Sequence, residues 1–76
     1  MSRWTPCKRP EFIRRLRALG LDGPFAGGRH SFMFYSRRRP TIPSNPEYSV
    51  PQLRELLKEV GQLLERPVTL EEWDEL

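Results

Sequence analysis

Proline and glycine decide what this chain can become. Eight prolines and five glycines fall within 76 residues. Pro10, Gly20, the stretch 23–28, Pro40, Pro43, Pro46 and Pro67 cut the sequence into short pieces. Proline removes a backbone donor and fixes φ, whereas glycine frees φ, so both punctuate elements more readily than they extend them. That pattern excludes a long helical bundle and leaves many short elements around a shared core. A chain of this length buries only about 60% of its unfolded surface and supports one core. Residues 1–76 are therefore read as one domain, with no visible internal repeat.

Between the breakers the hydrophobic period is legible. Over 10–19, Phe12, Ile13, Leu16 and Leu19 fall at helical spacing while Arg14, Arg15 and Arg17 take the remaining positions. Pro10 suits a first helical turn and Gly20 suits the position just past the end. Residues 21–29 read as a short strand broken near Asp22-Gly23-Pro24, then a turn at Gly27-Gly28, with an unspecified register. The aromatic run over 30–37 predicts a strand, and a second short run over 40–43 follows the Arg37-Arg38-Arg39 turn, giving a hairpin. Alternation puts His30, Phe32 and Phe34 on one face and Ser31, Met33 and Tyr35 on the other. Both faces carry large apolar groups, so the pattern does not say which one meets the helices.

Residues 43–48 read as a loop. Ser49 with Gln52 forms a capping-box pattern ahead of Leu53, Leu56, Leu57, Val60, Leu63 and Leu64, which predicts a second helix to about Glu65. Gly61 interrupts it at a cost of about 1 kcal/mol relative to Ala, and a break there is the alternative. Pro67 ends the helix, and Thr69 with Glu72 starts a short terminal one carrying Leu70, Trp73 and Leu76. Trp4 and Trp73 have no readable role. The order predicts an α+β fold, a small two-layer sandwich with its helices on one side of an antiparallel sheet and the other face open. Residues 1–9 read as an N-terminal extension and 67–76 as an extra C-terminal helix.

Charge is distributed unevenly along these elements. The formal net charge is only +3. Residues 1–39, however, hold ten Arg or Lys against Glu11 and Asp22, a balance of +8, and residues 40–76 hold three against eight, a balance of −5. Such asymmetry points to a polyanion-binding surface at one end. One cysteine, Cys7, excludes an internal disulfide framework, and one Cys with one His falls short of the usual zinc ligand set. No apolar run reaches the roughly 18 residues of a membrane span, and residues 1–10 lack a signal-peptide core. The expected compartment is the cytoplasm, with no metal, no cofactor and no membrane partner.

Histidine is the residue type that ordinarily titrates nearest neutrality, and His30 is the only one in the chain, so general acid–base work falls to it first. It follows Gly27-Gly28-Arg29, where glycine lets the backbone turn and Arg29 offers a planar cation suited to phosphate. Arg37, Arg38 and Arg39 stand at the other end of the same strand, with Phe32, Phe34 and Tyr35 between. Basic groups interleaved with aromatic rings suit single-stranded nucleic acid. The same residues also fit plainer roles: a surface histidine, a solvated arginine turn, core phenylalanines and a hairpin glycine pair. Residue types alone define a basic small α+β domain with an RNA-binding option.

The order of landmarks over 12–61 resembles the HicA (YcfA-like) toxin family of type II toxin–antitoxin systems. The landmarks are the opening helix ending Leu19-Gly20, the Gly28-Arg29-His30 element entering an aromatic strand, Ile42-Pro43, and a closing helix beginning near Pro51-Gln52-Leu53. The resemblance implies an α-β-β-β-α fold similar to the double-stranded RNA-binding domain. It also implies an mRNA interferase that blocks translation, needs no metal, is a monomer when free, and is held by a HicB-type antitoxin in a hetero-oligomer. The family's Gly-x-His histidine falls on His30, with Gly28, Arg29, Arg37, Arg38 and Arg39 as the expected RNA contacts. Two departures stand out. Arg29 replaces the family's common Ser, and Ser44-Asn45 replaces a further His, so no two-histidine pair exists and the general acid is left unassigned, with Tyr35 and water as the options. Two other readings remain open: a non-catalytic RNA-binding module, and a domain whose open sheet face and acidic tail serve only a protein partner.

Overall fold

The computed structural model describes residues 3–76, so residues 1 and 2 of the expected N-terminal extension lie outside the described residues. Eight elements follow one another: β1 (Cys7–Lys8), α1 (Arg9–Ala18), β2 (Asp22–Gly27), β3 (His30–Phe34), β4 (Thr41–Ile42), β5 (Glu47–Tyr48), α2 (Val50–Leu64) and α3 (Leu70–Asp74). The expected α+β sandwich with a short extra C-terminal helix is the observed architecture. β2, β3 and β4 form an antiparallel sheet in that order, and β1 pairs antiparallel with β5 in a separate ribbon.

That ribbon departs from the sequence expectation, which made 43–48 a loop and 1–9 an extension. Cys7 stands opposite Tyr48 and Lys8 opposite Glu47. Two-residue strands carry no periodicity of their own, and only the tertiary pairing makes them visible. The buried Tyr48 ring meets Phe12 edge-on at 5.0 Å, and its hydroxyl donates to the Pro43 carbonyl at 2.7 Å. Burial pushes the Tyr48 phenol up from its ordinary value, with Arg9 pulling the other way. The segment is thereby anchored between α1 and the end of β4.

Three helix ends are closed by the chemistry of the residues beside them, whereas Lys8 ahead of α1 makes no side-chain cap. At the α1 terminus the Leu21 amide donates to Leu16 O at 3.1 Å and the Gly20 amide to Arg17 O at 3.0 Å. Gly20 sits at φ 107, which is a Schellman closure on a residue without Cβ. Ser49 Oγ accepts from the Gln52 amide and Thr69 Oγ1 from the Glu72 amide, as the capping patterns predict. α2 runs through Gly61 unbroken. A Cβ at Gly61 would come 3.1 Å from the Arg66 carbonyl, so the glycine lets the outgoing chain fold back across the helix.

The core joins Phe12, Ile13 and Leu16 of α1, Leu53, Leu57 and Val60 of α2, and Trp73 of α3 to Met33 and Ile42 of the sheet. Met33 is 0% exposed, which fixes the face that the alternation left open: Met33 faces the helices. His30, Phe32 and Phe34 therefore lie on the helix-free face. Trp73, unreadable in sequence, is 2% exposed and closes the core beside Phe12 at 5.5 Å between ring centroids. None of the helices is long and apolar enough to cross a membrane among the described residues.

Candidate functional site

The helix-free face is built on one register. Phe25 pairs with Phe32 and Gly27 with His30 across β2 and β3, and Phe32 pairs with Thr41 across β3 and β4. Cross-strand partners share a face, so Phe25 joins His30, Phe32 and Phe34 there. A register shift between Asp22 and Phe25 puts it in place. The sequence pattern does not reveal Phe25, because a broken, glycine-rich strand carries no alternation to follow.

Glycine chemistry shapes this face at two positions. Gly28 adopts φ 75 and opens the two-residue turn that closes β2 onto β3. A Cβ at Gly27 would stand 2.7 Å from Phe32 Cδ1, so the ring of Phe32 seats on the bare backbone of Gly27. Phe25 and Phe32 lie 5.6 Å apart between centroids at 37°. Phe25 stays 45% exposed and Phe34 36% exposed.

The arginines expected to surround the site fall in different places. Arg29 sits in the Gly28 turn next to His30, and both are exposed. Arg39 folds back over Phe32, its guanidinium carbon 5.7 Å from the ring centroid. Arg37 and Arg38 stay at the far end of β3, where Tyr35 and Arg38 exchange backbone hydrogen bonds of 2.9 and 2.8 Å. Ser36 and Arg37 both take positive φ, 47 and 73, as the primed turns of tight hairpins require. Among the described residues, none of Arg29, Arg37, Arg38 and Arg39 makes an ion pair.

Helix α1 treats its arginines differently. Arg14 binds both oxygens of Glu11 at 2.7 Å and donates to the Leu76 carbonyl at 2.9 Å. Arg15 reaches Glu11 at 3.2 Å and the Trp73 carbonyl at 2.8 Å, and stacks over the Trp73 ring at 5.4 Å. The Arg14 hydrogen bond, opposed by partial burial and reinforced by Arg15, lowers the Glu11 carboxyl to about 2. Arg66 likewise holds Glu72 below the usual carboxylate range through a 2.7 Å contact. The C-terminal segment therefore lies against α1 and not against the open face.

Chemically, the face offers one imidazole, three aromatic rings, Arg39 over Phe32 and Arg29 in the adjoining turn, whereas Arg38, expected among the RNA contacts, pairs with Tyr35 and so shares its helix-facing side. His30 has no side-chain hydrogen-bond partner among the described residues. Tyr35, a candidate proton donor by sequence, is not beside it. Alternation sends Tyr35 to the helix-facing side, and its Cε1 would lie 3.9 Å from a Cβ at Gly20. Extending the pairing of Ser31 with Ile42 by one rung brings Pro43 level with His30, so the strand before Ser44-Asn45 ends at the histidine. No group of three or more His, Cys, Asp or Glu among the described residues could hold a metal ion. A groove of about 510 Å³ along α2, lined by Trp4, Arg54 and Lys58, contains none of the open-face residues.

Comparison with protein-family models, with curated proteins and with solved structures finds no match to this chain.

Proposed function

We propose that this chain is a HicA-like toxin, an endoribonuclease that cuts mRNA and is neutralised by a HicB-type antitoxin, with His30 as its general base. The observation that carries the reading is the exposed His30 at the edge of an open aromatic face flanked by arginines that make no ion pair among the described residues. A phosphodiester brings negative charge and bases together, and this face offers cations and rings together.

In the proposed step, neutral His30 takes the proton of a ribose 2′-OH as that oxygen attacks the adjacent phosphorus. The bond from phosphorus to the 5′-oxygen breaks, leaving a 2′,3′-cyclic phosphate and a 5′-hydroxyl. Water supplies the proton of the leaving oxygen, since Tyr35 faces the helices. Arg29, adjacent to His30, offsets the charge growing on the phosphoryl oxygens. With a single imidazole and no orienting hydrogen bond the turnover is slow, which a toxin tolerates because a few cuts silence a message.

The test compares wild type with His30→Ala for growth arrest and for cleavage of a defined RNA in EDTA. His30 is exposed, so the variant should fold, and circular dichroism checks that. Loss of both readouts is expected; equal cleavage by the folded variant removes His30 from the chemistry. One observation favours a second reading, an RNA-binding module without cleavage: no hydrogen bond among the described residues orients the His30 ring. That reading predicts binding by both proteins and cutting by neither.

A further inference from the structure

We propose that the open face of the β2–β3–β4 sheet is a stacking platform for single-stranded RNA, holding nucleotides on only one side of the phosphate at His30. The proposal rests on the reading that this face takes RNA, and it specifies which form of RNA and in which direction.

Three observations carry it. The first is the row itself. His30, Phe32 and Phe34 occupy alternate positions of β3, so they stand on one face at intervals of about 7 Å. Phe25 widens the row sideways, 5.6 Å from Phe32. Phe25 and Phe34 leave much of their surface in water, an arrangement that a sheet ordinarily avoids by covering such a face.

The second is charge. Arg39 lies over Phe32, Arg29 stands at one end of the row and Arg37 in the turn at the other. None is neutralised by a carboxylate among the described residues. Opposing two copies of this face would bring like charges together, which disfavours self-association and favours a polyanion with flat apolar groups. Unpaired nucleotides meet that description. In a duplex the bases already cover one another and offer only edges and backbone, so exposed rings would gain little from it.

The third is where the row stops. Gly27 and His30 form the last rung before the Gly28-Arg29 turn, and beyond it the sheet has no further surface. From His30 the aromatic row runs in one direction only. A strand with its reactive phosphate at His30 is therefore gripped by bases on one side of that phosphate.

The experiment measures fluorescence anisotropy with a short labelled 2′-O-methyl oligoribonucleotide, which has no 2′-OH to attack, as a single strand and as a duplex with its complement. Wild type should bind the single strand at least about tenfold more tightly. Phe25→Ala and Phe34→Ala, both at exposed positions, should each weaken single-strand binding by about tenfold and leave duplex binding unchanged. Equal binding of the two forms overturns the platform while leaving the RNA reading in place. So do phenylalanine variants that bind like wild type while Arg39→Ala binds weakly. Binding of neither form overturns both. Sedimentation showing a dimer that Phe34→Ala converts to a monomer, with RNA affinity intact, also overturns it. A second arm trims unmodified RNA from the 5′ or the 3′ side of the cut: the rate should fall in one direction only, and equal falls remove the one-sided grip.

Discussion

Two arginine-bearing regions of the same half-chain end in opposite conditions. On α1, Arg14 and Arg15 are tied to Glu11 and to backbone carbonyls of Trp73 and Leu76, about sixty residues further along. On the hairpin, Arg29, Arg37, Arg38 and Arg39 have no carboxylate partner among the described residues, and Arg39 lies over an aromatic ring. Counting along the chain assigns both groups to a single basic segment. The fold uses the first to dock its own terminus and leaves the second to solvent. Free cationic surface depends on what the remainder of the chain brings alongside, and net charge does not reveal it.

The largest expected effect removes the anchor of the docked region. Trp73→Ala vacates a buried indole beside Phe12, a change that ordinarily costs about 3–5 kcal/mol. Total stability for a chain of this size is about 4–11 kcal/mol. Urea denaturation should show about half of the stability gone, and a midpoint unmoved from wild type would mean that α3 is not tied to α1.

Next comes the pairwise exchange of arginines. Replacing Arg29 and Arg39 by Ala should weaken RNA binding and flatten its dependence on log salt by about 0.7 for each phosphate that is no longer neutralised. Replacing Arg14 and Arg15 should lower stability and leave that slope alone. The opposite outcome in a salt titration would invert the comparison.

Acid separates the regions more gently. The Glu11 carboxyl is lowered from 4.5 to about 2 in the folded protein, so its contribution is complete above about 4.5 and disappears as the pH falls through about 2. Glu11 is 38% exposed, so salt should screen the effect. Thermal midpoints should drop between pH 5 and pH 2, less so in high salt, and Arg14→Gln should flatten the drop. Arg38→Gln, lacking an acid partner, should leave it unchanged.

The smallest effect has two signs. Arg37 is held at φ 73, where a side chain costs about 1 kcal/mol. Arg37→Gly should raise the melting temperature slightly and lower RNA affinity, opposing stability to binding at one residue. A variant improved in both would remove Arg37 from the proposed RNA surface.

Much of the fold is legible in the sequence, and particular residues show why. The α1 stripe, the Gly20 stop, and the Ser49 and Thr69 caps each act within a few positions of themselves, so local chemistry decides them. Residues 30–37 and 40–43 read as strands because aromatic and breaker signals bracket them, and the structure trims them to His30–Phe34 and Thr41–Ile42. Phe25 does not announce itself as part of the site, because its strand is bulged and glycine-rich. The β1–β5 ribbon does not either, since two-residue strands exist only through their partner.

The sequence by itself determined the breaks, the caps, the helical stripes, one histidine and an uneven charge. Tertiary structure alone decided that Met33 faces inward and His30 outward, that Trp73 belongs to the core, and that the acidic end rests on α1. The reason is physical. Periods and caps are short-range properties of the backbone, whereas the choice between two apolar faces depends on which one fits distant helices. The freedom of an arginine likewise depends on whether a carboxylate or carbonyl from about sixty residues away arrives beside it.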